Sequence, residues 1–255
     1  MKAVYQTKYG KSDVLIYGEQ TRPTISANEI RIKNYATSVN PRDWLIRSGR
    51  YQLQFLVPKF PLILGSDFAG EITEVGAKVK DYKLGDKVFG MKNPSEGLAT
   101  YASEVVALAK NIAYMPNNIS FNEAAGVPLC SLTAWQALVD KAGIKEGMKV
   151  LVIGASGGVG SYGVQIAKAL GGDITAVCSE KNTALATSLG ASKVINYHKQ
   201  DFLKEGGQYD IVFDTIGRHD FNKCTPVLNN GGVYVSTIPS PNNLKSMGLT
   251  TIKSL

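Results

Sequence analysis

The 255-residue chain is predicted to be an α/β protein, with a β-rich half followed by a doubly wound parallel sheet. Three observations predict this class. Up to about residue 120, short β-like runs alternate with turn signals. After Phe121, helix-like and strand-like segments alternate, which is typical of a parallel sheet with crossover helices. The stretch 149–172 passes from an apolar run through a glycine cluster into a helix-like segment, as the first turn of such a sheet does.

The first half, 1–122, has the pattern of a β-rich, barrel-like domain. Its strand candidates are short and are bounded by glycine turns. The strands are expected at 2–7, 29–39, 68–76 and 86–91, and the glycines that punctuate them are Gly65, Gly70, Gly76, Gly85 and Gly90.

The second half, 123–255, is predicted to hold the parallel sheet. Helical turns broken at Pro128 precede it. A complete doubly wound dinucleotide-binding fold has six strands. Because no sixth strand is visible in the sequence, the domain is expected to be incomplete at its C-terminal end. The five strand candidates are 149–153, 174–179, 193–196, 209–215 and 231–237.

Composition narrows the class of protein. The net charge is +7 and the calculated pI about 9.2, but the lysines are scattered, so a nucleic-acid surface is not expected. The chain lacks an apolar run long enough to span a membrane and an export signal at its start. The three separated cysteines fit a reducing compartment. A cytoplasmic protein without a membrane partner is therefore expected.

The glycine cluster after the apolar run at 149–153 predicts a dinucleotide-binding loop. Strand, glycine turn and helix follow in the order that such a loop requires. Backbone N–H groups at the helix start would face a pyrophosphate, and Gly160 would allow close packing of helix on strand. The alternative is a tight strand-to-helix turn that binds nothing. The candidate binding residues of this loop are Ser156, Gly157, Gly158 and Val159.

The residues after the second strand favour NADPH over NADH. An NAD-preferring site would place a carboxylate at this point to hold the ribose diol. Here Ser179 could hydrogen-bond a 2′-phosphate and Lys181 could neutralise it. Glu180 would repel that phosphate if it pointed inward, and is expected to be a solvated residue instead.

These residues carry a family likeness. The chain resembles the zinc-free quinone oxidoreductase branch of the medium-chain dehydrogenase/reductase superfamily. The resemblance implies a GroES-like first domain, a Rossmann second domain and a catalytic cleft between them. The matching stretches, in order, are SVNPRDWLIRSG, FPLILGSDFAGEITEVGAKVKDYKLGDKVFG, AAGVPLCSLTAWQAL, VLVIGASGGVGSYGVQIAKALGG, LGASKVINY and YDIVFDTIG.

The resemblance also implies that the chain holds no zinc. Asn40 stands where zinc-dependent relatives have their first Cys ligand, and Ser66 and Asp67 replace a His-Glu pair. Leu129 stands at the later ligand position, with Cys130 one residue out of register. A catalytic zinc needs about three protein ligands of Cys, His or carboxylate type. Asp67 is expected to secure a turn or to face the cleft without doing chemistry.

The resemblance places six further residues in the site. Asn40 and Asp43 would lie beside the nicotinamide, with Asn40 donating to a ribose or carbonyl oxygen. Asp43 would orient Asn40 or bind a sugar hydroxyl, with an Asx turn as its alternative role. Tyr51 would lie near the substrate as a possible proton donor, or would simply pack. The cofactor contacts implied by the resemblance are Thr133 and Gly217 near the nicotinamide and Tyr197 near the adenine-ribose phosphate, with core packing as the alternative for Tyr197.

The expected activity is reduction of a quinone or an α,β-unsaturated carbonyl by hydride from NADPH. Reduction of an enoyl thioester is an enzymatic alternative. A nucleotide-binding protein without turnover, acting as a sensor or interaction module, is an alternative of another class. A homodimer formed through the Rossmann edge is implied by the resemblance.

Overall fold

The computed structural model describes residues 1–93, 96–97, 99–238 and 253–254. The chain divides into two compact units, Met1–Leu129 and Cys130–Leu255. The boundary expected after residue 122 lies inside helix α2 (Phe121–Ala125), and Ala124 and Ala125 of this helix pack with Ala69 of the first unit. The buried alanine face therefore attaches α2 to the first unit.

The first unit is β-rich. An antiparallel five-stranded sheet has the order β7-β3-β5-β6-β8, and a three-stranded sheet has the order β2-β1-β4. Ile30 and Ile32 alternate inward from β3 and pack with Phe68 and Ile72 of β5. The elements before α2 are β1 (Lys2–Gln6), β2 (Ile16–Glu19), β3 (Glu29–Ala36), α1 (Pro41–Arg47), β4 (Leu62–Ile63), β5 (Asp67–Val75), β6 (Lys87–Met91), β7 (Glu104–Leu108) and β8 (Ile112–Tyr114).

The second unit is a six-stranded parallel sheet of the order β11-β10-β9-β12-β13-β14, which is the doubly wound dinucleotide-binding order. A helix that begins at Pro128, α3 (Pro128–Trp135), leads toward it and continues as a π-helical segment at Gln136–Lys141. The other elements are β9 (Lys149–Ile153), α4 (Gly158–Ala169), β10 (Asp173–Cys178), α5 (Thr183–Ser188), β11 (Lys193–Asn196), β12 (Tyr209–Asp214), α6 (Phe221–Cys224), β13 (Leu228–Ser236) and β14 (Lys253–Ser254).

Strand β14 corrects one expectation. The sequence pattern predicts no sixth strand, but Lys253 pairs with Val235 and Ser254 with Ser236 in parallel register. A strand of two polar residues has no alternation of apolar and polar positions, so the sequence pattern could not reveal it. Backbone pairing with β13 alone defines it.

The central strands of the second unit are buried on both faces. Val150 and Val152 of β9 pack in one cluster, while Leu151 and Ile153 pack in another. Successive strand residues point to opposite faces, so this continuous apolar run requires cover on both sides. In the described part of the chain, no helix combines the length and the apolar character needed to cross a membrane.

Candidate functional site

Asp67, the first residue of β5, holds the loop that leads into α1. The Asn40 Nδ2 atom donates to Asp67 Oδ2 over 2.8 Å, and the Ser38 hydroxyl donates to the same oxygen. The backbone N–H of Leu129 donates to Asp67 Oδ1 over 2.9 Å. Asp67 is 1% exposed, so these protein donors take the place of water around its carboxylate. The carboxylate thereby ties two distant segments to β5.

Asn40 places both of its amide hydrogens inside this network. Its Nδ2 atom donates to Ser38 Oγ over 2.8 Å as well as to Asp67. An amide nitrogen has two hydrogens, and both have protein acceptors here. Donation by Asn40 to a ribose or carbonyl oxygen, as predicted from the sequence, would require one of these two hydrogen bonds to break.

Asp43 lies in the first turn of α1 and caps it. Its Oδ2 atom accepts from the Asn40 backbone N–H over 2.8 Å and from the Tyr101 hydroxyl over 2.9 Å. Its Oδ1 atom accepts from Ser66 Oγ over 3.3 Å. Asn40 is the N-cap residue of α1, and Asp43 lies three residues later. A hydrogen bond from the N-cap backbone N–H to an acidic side chain at this position is one of the two bonds of a capping box. Asp43 is 2% exposed, which favours a positioning role over contact with a ligand.

Burial dominates the electrostatics of the two carboxylates. Desolvation raises the pKa of Asp43 and of Asp67 above the usual value, and their hydrogen bonds and the nearby Arg42 charge oppose that rise only in part. The Arg42 guanidinium donates to Ser66 Oγ over 3.2 Å and to the Lys92 carbonyl over 3.1 Å. The site in the first unit thus consists of two buried carboxylates, Asp43 and Asp67, and the nearby Arg42, all hydrogen-bonded to groups of the protein.

Tyr51 lies outside this network, in an apolar environment. It is partly buried and packs against the cluster of Ile46, Leu62 and Leu64. This placement favours the packing alternative that the sequence left open for Tyr51.

In the second unit, the glycine turn after β9 brings the end of the strand against the start of α4. A Cβ atom at Gly160 would lie 2.1 Å from the Gly154 carbonyl oxygen, so only glycine allows this close packing. A Cβ atom at Gly157 would meet only that same carbonyl, at 3.4 Å, and Gly157 is exposed. Packing does not demand a glycine at 157, and its missing side chain leaves room on the outer side of the loop.

The start of α4 presents backbone donors at this open side. Ser161 is the first residue of α4 whose backbone N–H donates to the carbonyl four residues earlier, that of Gly157, over 2.8 Å. The preceding N–H groups of Gly158, Val159 and Gly160 have no such partner within a helix. α4 is twelve residues long, and the N-terminus of such a helix has a partial positive charge. The cradle therefore fits a pyrophosphate.

Ser156 and Ser179 come together across the carboxyl ends of β9 and β10. One atom joins them: Asn182 Nδ2 lies 2.9 Å from Ser156 Oγ and 3.2 Å from Ser179 Oγ. Two residues that the sequence assigned to the cofactor thus meet, through a third that the sequence analysis did not single out.

The charged residues that follow Ser179 are Glu180, which forms an ion pair with Lys199, and Lys181, which is exposed to solvent. The Glu180 carboxylate lies 2.9 Å from Lys199 Nζ, and this contact lowers the pKa of Glu180. Glu180 is exposed, in agreement with its expected role, and Lys181 is exposed as well. The carboxylate is therefore engaged by a lysine beyond the end of β11, not by the serine pair.

The other predicted cofactor residues occupy three places. Tyr197 follows β11 and is 51% exposed, so core packing is the wrong alternative for it. Gly217 follows β12, where its N–H donates over 2.8 Å to the buried Asp214 carboxylate. Thr215 of the same loop donates over 2.8 Å to the Ile153 carbonyl, joining this loop to the end of β9. Thr133 lies half-buried in α3.

The donor set does not fit a catalytic zinc ion. At two positions that correspond to metal ligands in zinc-dependent relatives, the groups present are hydrogen-bond donors. Asn40 donates its amide hydrogens to Asp67 and Ser38, and Leu129 donates its backbone N–H to Asp67. Across the described residues, no three His, Cys, Asp or Glu side chains are grouped so that they could hold a metal ion. Zinc coordination favours sulfur, imidazole and carboxylate donors that are free to face the ion.

Comparison with known proteins decides the family. Residues 26–117 match the family model of the alcohol dehydrogenase GroES-like domain, and residues 158–251 match that of zinc-binding dehydrogenases. The chain is 40% identical over 231 residues to the chloroplast envelope quinone oxidoreductase homolog of Arabidopsis thaliana. The alignment covers 86% of this chain and 69% of that protein. The chain belongs to the quinone oxidoreductase branch of the medium-chain dehydrogenase/reductase superfamily.

Solved structures of this quinone oxidoreductase branch share the fold. The quinone oxidoreductase of Coxiella burnetii matches with a TM-score of 0.89 at 32% identity, over 100% of this chain and 81% of that one. The Escherichia coli quinone oxidoreductase, solved in complex with NADPH, matches with a TM-score of 0.85 at 29% identity, over 100% of this chain and 80% of that one. The chain spans 56% to 79% of the length of eight curated relatives.

These findings confirm the family resemblance and the fold class predicted from the sequence. For this quinone oxidoreductase chain, sequence reasoning missed Tyr101 and Asn182, which contact predicted site residues, and Asp214, which holds the Gly217 loop. The available signal was weak: Asn182 is a short polar residue three positions after Ser179, a pattern that turns also show.

Proposed function

We propose that the protein is an NADPH-dependent, zinc-independent reductase of quinones or other α,β-unsaturated carbonyls. The observation that carries this proposal is the edge of the second unit, where the open glycine turn, the start of α4 and the joined serines Ser156 and Ser179 lie at the ends of neighbouring strands. The relationship to quinone oxidoreductases supports it, as does the NADPH bound to the E. coli enzyme.

The chain would bind the cofactor through three groups of residues. The N–H groups of Gly158 and Val159 would hold the pyrophosphate, because the helix terminus stabilises negative charge there. Ser179 and Lys181 would hold the 2′-phosphate, one by hydrogen bonding and the other by charge. The Asp214 carboxylate would fix the loop that carries Gly217.

NADPH, when bound, supplies a hydride from nicotinamide C4. In the first unit, Asp67 and Asp43 fix the loop that carries Asn40. Because both amide hydrogens of Asn40 are engaged, we propose that Asn40 is a positioning residue. The reduced substrate also needs a proton, and since Tyr51 packs among apolar side chains, we propose that solvent supplies it.

The test is a titration of the purified protein with NADPH and, separately, with NADH. Addition of 1,4-benzoquinone, an enone such as methyl vinyl ketone, and a crotonyl thioester to the NADPH complex follows. We expect NADPH to bind more tightly than NADH and to be oxidised by the quinone or the enone. Faster oxidation by the thioester would favour an enoyl reductase, and binding without oxidation would leave a nucleotide-binding protein. Absence of NADPH binding would contradict the proposal.

We propose, as the sequence predicts, a cytoplasmic enzyme that acts on small molecules. The homodimer stays a prediction, which light scattering of the purified protein would test.

A further inference from the structure

The amide of Asn182 is shared between two serines on different loops. Its Nδ2 atom contacts Ser156 Oγ at 2.9 Å, on the turn after β9, and Ser179 Oγ at 3.2 Å, directly after β10. The Asn182 backbone N–H donates over 3.0 Å to the Ser179 carbonyl, which fixes the short helical turn between them. The three side chains are each half-buried, so their mutual orientation is set by these bonds.

This contact determines which way the two hydroxyl groups point. An amide nitrogen donates two hydrogens and accepts none, so both serine oxygens must be acceptors toward Asn182. Their own O–H hydrogens are thereby turned away from the amide. A hydroxyl with a lone pair already engaged in this way offers its hydrogen to a further acceptor. The pair Ser156 and Ser179 thus presents two O–H donors.

Two O–H donors suit an anion better than a sugar diol. A phosphate accepts hydrogen bonds at every oxygen, whereas a ribose diol is best held by a carboxylate acceptor. The nearest carboxylate in sequence, that of Glu180, is held by Lys199 at 2.9 Å and contacts Asn196 at 3.5 Å. The carboxylate that could have held a diol is therefore engaged elsewhere.

We propose that Asn182 is a positioning residue that sets the donor polarity of Ser156 and Ser179, and so makes the site selective for a dinucleotide with a 2′-phosphate. The inference rests on the proposed function, because it concerns the cofactor of that same site. Asn182 acts through the serines, so its effect depends on their hydroxyl groups.

The experiment measures dissociation constants of NADPH, NADH and the fragments 2′,5′-ADP and 5′-AMP for Asn182→Ala. We expect NADPH and 2′,5′-ADP to bind about tenfold more weakly, the loss of about one charge-assisted hydrogen bond. NADH and 5′-AMP should bind as they do to the parent protein. Asn222→Ala is the control, since it removes an exposed side-chain amide on α6 of the second unit.

Asn182→Asp replaces the amide donor by a carboxylate acceptor in a side chain of nearly the same volume. A carboxylate would accept from both serine hydroxyls and add a negative charge, so we expect the preference for NADPH over NADH to fall further than in Asn182→Ala. This variant keeps the test decisive if Asn182→Ala does not fold.

A double-variant background separates positioning from mere structure. In Ser156→Ala/Ser179→Ala protein, Asn182→Ala should cause no further loss of 2′,5′-ADP binding. An unchanged NADPH-to-NADH ratio in Asn182→Ala and Asn182→Asp, or an equal loss with and without the serines, would overturn the inference while leaving the proposed function intact. Parent protein that binds neither NADPH nor 2′,5′-ADP would overturn both.

Discussion

The side-chain amide of Asn40 lies 2.8 Å from the buried carboxylate of Asp67, and the two residues join the start of α1 to the start of β5. These are positions at which zinc-dependent relatives, by resemblance, have metal ligands. Here an amide donor meets a carboxylate acceptor directly. The local geometry is therefore held by hydrogen bonds between side chains of the chain itself, and its disruption has measurable consequences.

Asp67→Asn should destabilise the protein by about 3 kcal/mol, because the amide keeps only one acceptor oxygen. Either the Leu129 N–H or the donors of Ser38 and Asn40 would then be buried without an acceptor. Urea unfolding gives the free energy. Asp13→Asn, at an exposed position, is the control and should leave the midpoint unchanged. A midpoint for Asp67→Asn equal to that of the parent would show that the network contributes nothing.

The buried carboxylates Asp43 and Asp67 should titrate above the ordinary Asp value of 3.8. A pKa raised in the folded state means that the folded protein binds protons more readily than the unfolded chain. Their contribution to stability is then fully present below about pH 3.8 and is lost as the pH rises through the raised values. Carbon-13 NMR of the Asp carboxyls checks the direction, and values at or below 3.8 for both would contradict it.

Gly160→Ala should lower stability by about 3 kcal/mol or more, since its methyl carbon would lie 2.1 Å from the Gly154 carbonyl and force β9 and α4 apart. Gly157→Ala is its matched control. There the methyl meets only a 3.4 Å contact, so stability should fall by less than about 1 kcal/mol while NADPH affinity falls. Thermal unfolding and NADPH titration of both variants decide the matter. Retained NADPH affinity in Gly157→Ala would mean that the open side of the loop does not face the cofactor.

Tyr101→Phe should cost about 2 kcal/mol of stability, because it removes the hydroxyl that donates to the Asp43 carboxylate over 2.9 Å. The ring and its packing are kept, so the effect reports the hydrogen bond. Guanidinium unfolding provides the measurement. An effect below about 0.5 kcal/mol, the range of ordinary surface substitutions, would mean that Asp43 finds another donor.

Tyr51→Phe should leave kcat for benzoquinone reduction close to that of the parent enzyme, since Tyr51 packs against Ile46, Leu62 and Leu64. A positioned general acid contributes about a hundredfold or more to a rate. A fall in kcat of that size, with stability unchanged, would restore Tyr51 as the proton donor.

Much of the fold could be predicted because it is encoded by local pattern. The apolar run of β9, the glycines and the apolar spacing of α4 are contiguous in the chain, and their order alone indicates the dinucleotide-binding turn. The strands β9 to β13 follow from the alternation of helix-like and strand-like segments after Phe121. β14 escaped prediction because only its pairing with β13 makes it a strand.

The site was predictable only where a motif is continuous. Ser156 and Ser179 each follow a strand, so each could be assigned to the carboxyl edge of the sheet. That Asn182 joins them depends on how two loops meet in space. Asp67 likewise gave no sign of its partners, because a carboxylate in a turn and a buried carboxylate with several donors look alike in a sequence. Tertiary contacts, not local preferences, distinguish the two.

The partners of Asp67 also have a bearing on how the chain folds as it is synthesised. Asn40 precedes it by 27 residues, and Leu129 follows it by 62. Contacts of such long sequence separation form slowly, because closing the intervening loop costs chain entropy. A nascent chain leaving the ribosome cannot complete the set of donors around this carboxylate until Leu129 has emerged, so Asp67 Oδ1 gains its backbone donor only with the last residue of the first unit.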